Sequence, residues 1–193
     1  IYLIHAIDCG TGLVVGWHIL IGAPSESDGL RCVESILFSK KTRLKALGLS
    51  YDIDVYGTPY QLVFDNGPET RGERMRKLVR LNIDSMHCKS RHAHGKPYIE
   101  RLNRSLKEAL QTLPGCTRVD GKDGQRDPVK LGDPLMTLEE LETWIARWYF
   151  ESWGHTELKR HLRTDFHDEV KLGNTPIKRW KMMTEELAYV MPL

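Results

Sequence analysis

The chain has 193 residues, 40% of them Ala, Val, Ile, Leu, Met, Phe, Trp, Tyr or Cys; with Gly counted and Tyr left out the apolar share is about 45%, which excludes disorder as the main state. The formal net charge is only +2, yet positions 71–107 carry eleven Lys/Arg against three Asp/Glu, a balance of +8, leaving 17 minus 23, or -6, for the rest. A segregated basic block of this kind suits a polyanionic partner, and a solvated helical face explains it equally well.

Residues 1–7 and 13–21 are rich in β-branched side chains and joined by Cys9-Gly10-Thr11-Gly12, so an antiparallel hairpin is predicted. That turn, with His5, Asp8 and His18, excludes a membrane span, and no signal peptide is visible. Ser27 is a candidate N-cap for a helix with Leu30, Val33, Ile36 and Leu37 on one face. After Gly57-Thr58-Pro59 comes a short apolar strand, 61–64, ending at Asp65-Asn66-Gly67-Pro68. A basic helix from about Arg71 with Met75, Leu78 and Val79 inward follows, then a strand over 83–88. The order is that of an α/β layout.

Beyond the polar, basic, His-bearing loop 89–95, Pro97 is placed as the first residue of a helix whose buried stripe is Ile99, Leu102, Leu106, Ala109 or Leu110, and Leu113. Glu100 falls at the border of that stripe. Residues 114–134 are almost all Gly, Pro and charged, and read as a long exposed connection. Thr137-Leu138-Glu139-Glu140 fits a capping box, with Met136 and Leu141 as its staple, and Leu138, Leu141, Ile145, Trp148 and Tyr149 line one helix face. Thr175-Pro176 starts a last helix with Ile177, Trp180 and Leu187 inward. These aromatics are read as core rather than as a platform for bases. The predicted division is a core over 1–113, a connection over 114–136 and a small helical extension over 137–193.

Chemistry is indicated by Asp65 at a strand end and Glu100, 35 positions later, in the first turn of a helix carrying Lys96, Arg101, Arg104 and Lys107. Two carboxylates so placed can converge on a hard divalent cation, the basis of two-metal phosphodiester chemistry. Each has a plainer explanation: Asp65-Asn66-Gly67 is a good turn, and Glu100 can pair with Arg104 at i,i+4. Their conjunction with a basic loop is what favours a site.

The strings Leu62-Val63-Phe64-Asp65-Asn66-Gly67-Pro68-Glu69 and Gly95-Lys96-Pro97-Tyr98-Ile99-Glu100-Arg101-Leu102-Asn103-Arg104-Ser105-Leu106-Lys107 resemble the second and third acidic motifs of the DDE transposases and retroviral integrases, with the 35-residue interval of the D,D-35-E class. The segment from Ile7 to Trp17 resembles the hairpin these proteins share. Leu172-Gly173-Asn174-Thr175-Pro176-Ile177-Lys178-Arg179-Trp180 is similar to the Thr-Pro and Trp signature of bacterial members. The polar connection before Leu138 points to the branch of the Mu and TnsB/TniA-type transposases. The resemblance implies a ribonuclease H-like mixed sheet flanked by helices, followed by the small helical C-terminal subdomain. It implies Asp65 and Glu100 as the second and third catalytic carboxylates, holding Mg²⁺ or Mn²⁺ as two ions. It implies DNA cleavage at transposon ends, then joining of the exposed 3′-hydroxyl to target DNA.

Lys96, Arg104 and Lys107, near the Glu100 face by helical spacing, are expected to contact DNA phosphates, with Lys89 and Arg91 of the loop beside them. A homo-oligomer on DNA, an ATPase regulator and a bacterial, nucleoid-associated cytoplasmic setting complete what the resemblance implies. The four cysteines, at 9, 32, 88 and 116, form no C-x-x-C pair and agree with a reducing compartment.

The first catalytic Asp of this family lies on a central strand before the hairpin. Only two strands precede the first helix here, so Asp8 is read as a hairpin-end residue, and the first Asp is expected upstream of Ile1. His87, Cys88, His92 and His94 fit no standard zinc module. A ribonuclease H-like nuclease that only hydrolyses and a non-catalytic DNA-binding assembly module are the alternatives.

Overall fold

The computed structural model describes residues 1–64, 67, 70, 72–87, 97–117, 127–159 and 173–186. β1 (Tyr2–Ile7) and β2 (Val14–Leu20) form the predicted hairpin, Tyr2 opposite Leu20 and Ala6 opposite Gly16, with an irregularity between Ala6 and Ile7. Its turn closes through Asp8 N–H to the Leu13 carbonyl and Gly12 N–H to the Asp8 carbonyl, both 2.8 Å, and Gly12 takes a φ of 81° that disfavours a side chain.

β2 is buried along nearly its whole length because α1 (Glu26–Leu37) lies on it. A Cβ on Gly16 would stand 2.6 Å from Ile36 Cγ1 and 2.9 Å from the Cys32 carbonyl oxygen, so the close approach of helix to strand requires that glycine. The helix starts at Ser25, two residues before the Ser27 expected. The Asp28 carboxylate accepts from the Ser25 N–H at 2.9 Å, while Ser27 Oγ receives Arg74 Nη2 at 2.9 Å. A short helix α2 (Lys41–Ala46), unannounced by periodicity, buries Leu44. Ahead of it Lys40 is buried; its ammonium donates to the Phe38 carbonyl at 3.0 Å and the Val55 carbonyl at 2.6 Å. Burial pushes its pKa down to about 7 against the opposing pull of Asp54.

β3 (Gln61–Phe64) and β4 (Asp84–His87) pair in parallel, Gln61 opposite Asp84 and Phe64 opposite His87. α3 (Glu73–Arg76) lies on the crossover between them and tightens into a 3₁₀ segment, Lys77–Leu81. At three residues per turn Leu78 stays under Met75 and Val79 swings outward; it is 67% exposed rather than inward. Among the described residues the strands form two separate two-stranded sheets, with no strand joining them, so the layout is mixed α/β.

α4 (Pro97–Leu110) buries Leu102 and Leu106 and leaves Ile99 and Leu110 half-buried. α5 (Leu138–Arg147) has the predicted capping box: Thr137 Oγ1 accepts the Glu140 N–H at 3.2 Å and the Glu140 carboxylate accepts the Thr137 N–H at 2.7 Å. The chain then loosens into a π turn, Trp148–Ser152, and a 3₁₀ turn, Trp153–His155. Leu138 is exposed rather than inward, one turn short of where α5 meets the core, as first-turn side chains often are. α6 (Pro176–Lys181) is capped by Thr175 as predicted; Leu187 lies outside the described residues.

The C-terminal elements do not build a core of their own among the described residues. Ile145, Tyr149, Phe150, Trp153, Ile177 and Trp180 belong to one hydrophobic cluster with Leu13, Trp17, Ile36 and Leu102. Trp153 Nε1 donates to the Gly12 carbonyl at 2.8 Å, and Trp180 Nε1 to the Asp54 carbonyl at 3.2 Å. No helix among the described residues is long and apolar enough to cross a membrane.

Candidate active site

Glu100 is placed by α4, which Pro97 opens and the Leu102 and Leu106 stripe seats on the core. It lies exposed in the first turn, and its carboxylate makes no hydrogen bond or ion pair among the described residues. The i,i+4 pair with Arg104, the plainest explanation of Glu100, is therefore not formed. Arg101, Arg104 and Lys107 are likewise exposed on α4. An exposed oxygen ligand with no partner among the described residues meets the need of a hard divalent cation that keeps most of its waters, for one ligand. Asp65, Lys89, Arg91 and Lys96 lie outside the described residues, as do Cys88, His92 and His94. Among the described residues no three His, Cys, Asp or Glu side chains come together as a metal cluster.

Asp8 has local work. Its Oδ2 accepts both the main-chain N–H and the hydroxyl of Thr11, each at 2.7 Å, so the carboxylate caps its own hairpin turn. His87 Nε2 donates to the Thr70 carbonyl at 2.9 Å, and its ring lies 5.6 Å from that of Phe64, the last residue of β3.

One polar group near Glu100 escaped the sequence reading. His5 on β1 has Nε2 at 2.6 Å from Asn103 Oδ1 on α4 and Nδ1 at 2.7 Å from the Tyr149 hydroxyl. The only signal for it was a histidine amid the apolar residues of a strand. Burial lowers the His5 pKa below 6.5, and the bond to Asn103 opposes this more weakly. The folded state thus holds a neutral ring where the unfolded chain takes up a proton near pH 6.5. The contribution is complete above that pH and is lost as pH falls through the lower, folded pKa. Urea unfolding midpoints measured from pH 7 to pH 5 are expected to fall more steeply for the native chain than for His5→Gln, which has no proton to take up.

The model of the family described as the TnsB C-terminal domain matches residues 1–115, more than half of the chain and the part holding Asp65 and Glu100. The chain belongs to that family. It is thereby a protein of the transposase and integrase type. Among solved structures it is similar to the catalytic core domain of BIV integrase, at 18% identity and a TM-score of 0.37, over 76% of this chain and 89% of that one. The likeness is loose, and membership rests on the sequence match. No curated protein matches the chain.

Proposed function

We propose that the chain is the catalytic core of a DNA transposase or integrase, performing metal-dependent cleavage and 3′-hydroxyl strand transfer at transposon ends on a ribonuclease H-like framework. Membership of the TnsB C-terminal domain family across both acidic motifs carries this reading. The exposed carboxylate of Glu100, unpaired among the described residues, supports it. In this reading Glu100 and Asp65 hold two Mg²⁺ or Mn²⁺ ions. When bound, such ions activate the attacking hydroxyl and stabilise the leaving oxygen. Arg104 and Lys107, with Lys89, Arg91 and Lys96, hold the phosphate backbone in register without reading sequence. Assembly as a homo-oligomer on DNA, control by an ATPase and a place on the bacterial nucleoid belong to the same proposal.

The test is to incubate the full-length protein with Mg²⁺, a transposon-end duplex bearing a 3′-hydroxyl and a target plasmid. Joined products are expected. Hydrolysis without joining would identify a nuclease, and DNA binding without either reaction an assembly module.

The two described cations give a separate prediction. Arg104→Ala with Lys107→Ala should weaken binding equally for all DNA sequences and lower the slope of log affinity against log salt by about 2, roughly one for each phosphate no longer neutralised. Filter binding or fluorescence anisotropy at several salt concentrations measures this. An unchanged slope would remove both residues from the DNA interface.

A further inference from the structure

The contacts of His5 join three elements that are distant in sequence: β1, α4 and the π turn after α5. The Asn103 carboxamide oxygen can only accept, so His5 Nε2 carries the ring proton and Nδ1 accepts from the Tyr149 hydroxyl. Tyr149 is completely buried, its ring 5.7 Å from Trp17 and 5.8 Å from Trp148. This chain of bonds therefore has one end fixed in the core, and its other end holds α4.

Asn103 follows Glu100 by three residues, nearly one helical turn and about 60° round the axis. Leu102 and Leu106 press α4 onto the core, but apolar contact is non-directional and tolerates rotation. The bond from His5 to Asn103 is directional. A rotation of about 20° would carry a carboxylate some 5–6 Å from the helix axis through about 2 Å. Catalytic groups must be held within roughly 0.5 Å.

We propose that His5 is a positioning residue: through Asn103 it sets the rotation of α4 and hence the aim of Glu100, and it takes its own orientation from Tyr149. This rests on the reading of Glu100 as a metal-holding carboxylate. Tyr149 lies beyond the residues of the family match, so the helical region after 137 becomes part of the apparatus that aims the site.

Three variants of the full-length protein test the proposal: His5→Phe, which lacks both polar ring atoms; His5→Gln, whose amide nitrogen can still donate to Asn103; and Tyr149→Phe, which removes one hydroxyl and keeps the ring against Trp17. The Mn²⁺ concentration giving half-maximal end cleavage is expected to rise about tenfold in His5→Phe, as it does when outer partners of metal ligands are removed. Tyr149→Phe should raise it severalfold, and His5→Gln should return to within about threefold of the native value. Because Phe also leaves the buried Tyr149 hydroxyl unpaired, thermal midpoints are measured on the same variants, and a Mn²⁺ midpoint that merely followed the thermal midpoint would likewise overturn the proposal. An unchanged midpoint in both His5→Phe and Tyr149→Phe, or a Gln variant no better than Phe, would overturn the proposal. If the native protein shows no manganese-dependent cleavage, the functional reading fails by itself, and amide hydrogen exchange across 97–110 decides the rest. Faster exchange in Tyr149→Phe, whose missing hydroxyl bonded to His5 and not to α4, supports the relay; unchanged exchange overturns it.

Discussion

Glu100→Gln is expected to abolish cleavage and joining while the fold persists. The substitution keeps shape and polarity and removes one negative charge. Because the carboxylate makes no bond among the described residues, its loss leaves no buried partner unsatisfied, and the thermal midpoint should move little. The small interaction of an acidic side chain with the positive end of α4 is all that is forfeited structurally. Chemistry has more at stake: an amide oxygen is a far poorer ligand for a hard divalent ion, and a group stabilising transition-state charge is worth on the order of 10²–10³-fold or more in rate. DNA affinity should hold or rise, since the removed charge repels phosphate. Gel assays of end cleavage, with calorimetry on the same preparation, separate the cases. Full activity would return Glu100 to the status of a surface charge on a basic helix.

Local signals carried most of the fold. The hairpin followed from β-branched runs flanking a Gly-bearing turn, the start of α5 from Thr137 and Glu140, and the start of α6 from Thr175-Pro176. What stayed illegible depends on partners remote in sequence. Ser25 rather than Ser27 caps α1 because Asp28 folds back on it and Arg74 claims Ser27. α2 has too few residues for a period to show. Val79 leaves the core because the helix tightens after Arg76, a change periodicity cannot announce. At the candidate site, the position of Glu100 in the first turn of α4 was readable from Pro97 and the apolar stripe. Whether its carboxylate would pair with Arg104 was not, since the spacing permits both outcomes. The bridge from His5 to Asn103 and Tyr149 spans 98 and 144 positions, beyond any local pattern.

The other large effect is expected at Trp17, the side chain on which the two halves of the core meet. It is fully buried, with Tyr149 at 5.7 Å and Phe150 at 6.3 Å between ring centroids, and the Arg43 guanidinium carbon 4.6 Å from its own ring centroid. Arg43 in turn donates to the Trp17 carbonyl at 2.9 Å and to Glu142 on α5 at 2.6 Å. Trp17→Ala removes the ring from Tyr149, Phe150 and the Arg43 guanidinium at once and leaves a cavity between β2 and the C-terminal helices. Such truncations cost about 3–5 kcal/mol, which in a chain of this size lowers the thermal midpoint by about 10 °C or more. The buried indole Nε1–H has no hydrogen-bond partner among the described residues, and a donor so placed is itself a cost in the native state. Trp17→Phe deletes the unpaired donor together with part of the ring, so its cost should be well under half that of Ala. Urea unfolding of the two variants measures the difference. If Phe proved as damaging as Ala, ring volume would not be what joins the halves, and the polar contacts of Arg43 would have to take its place.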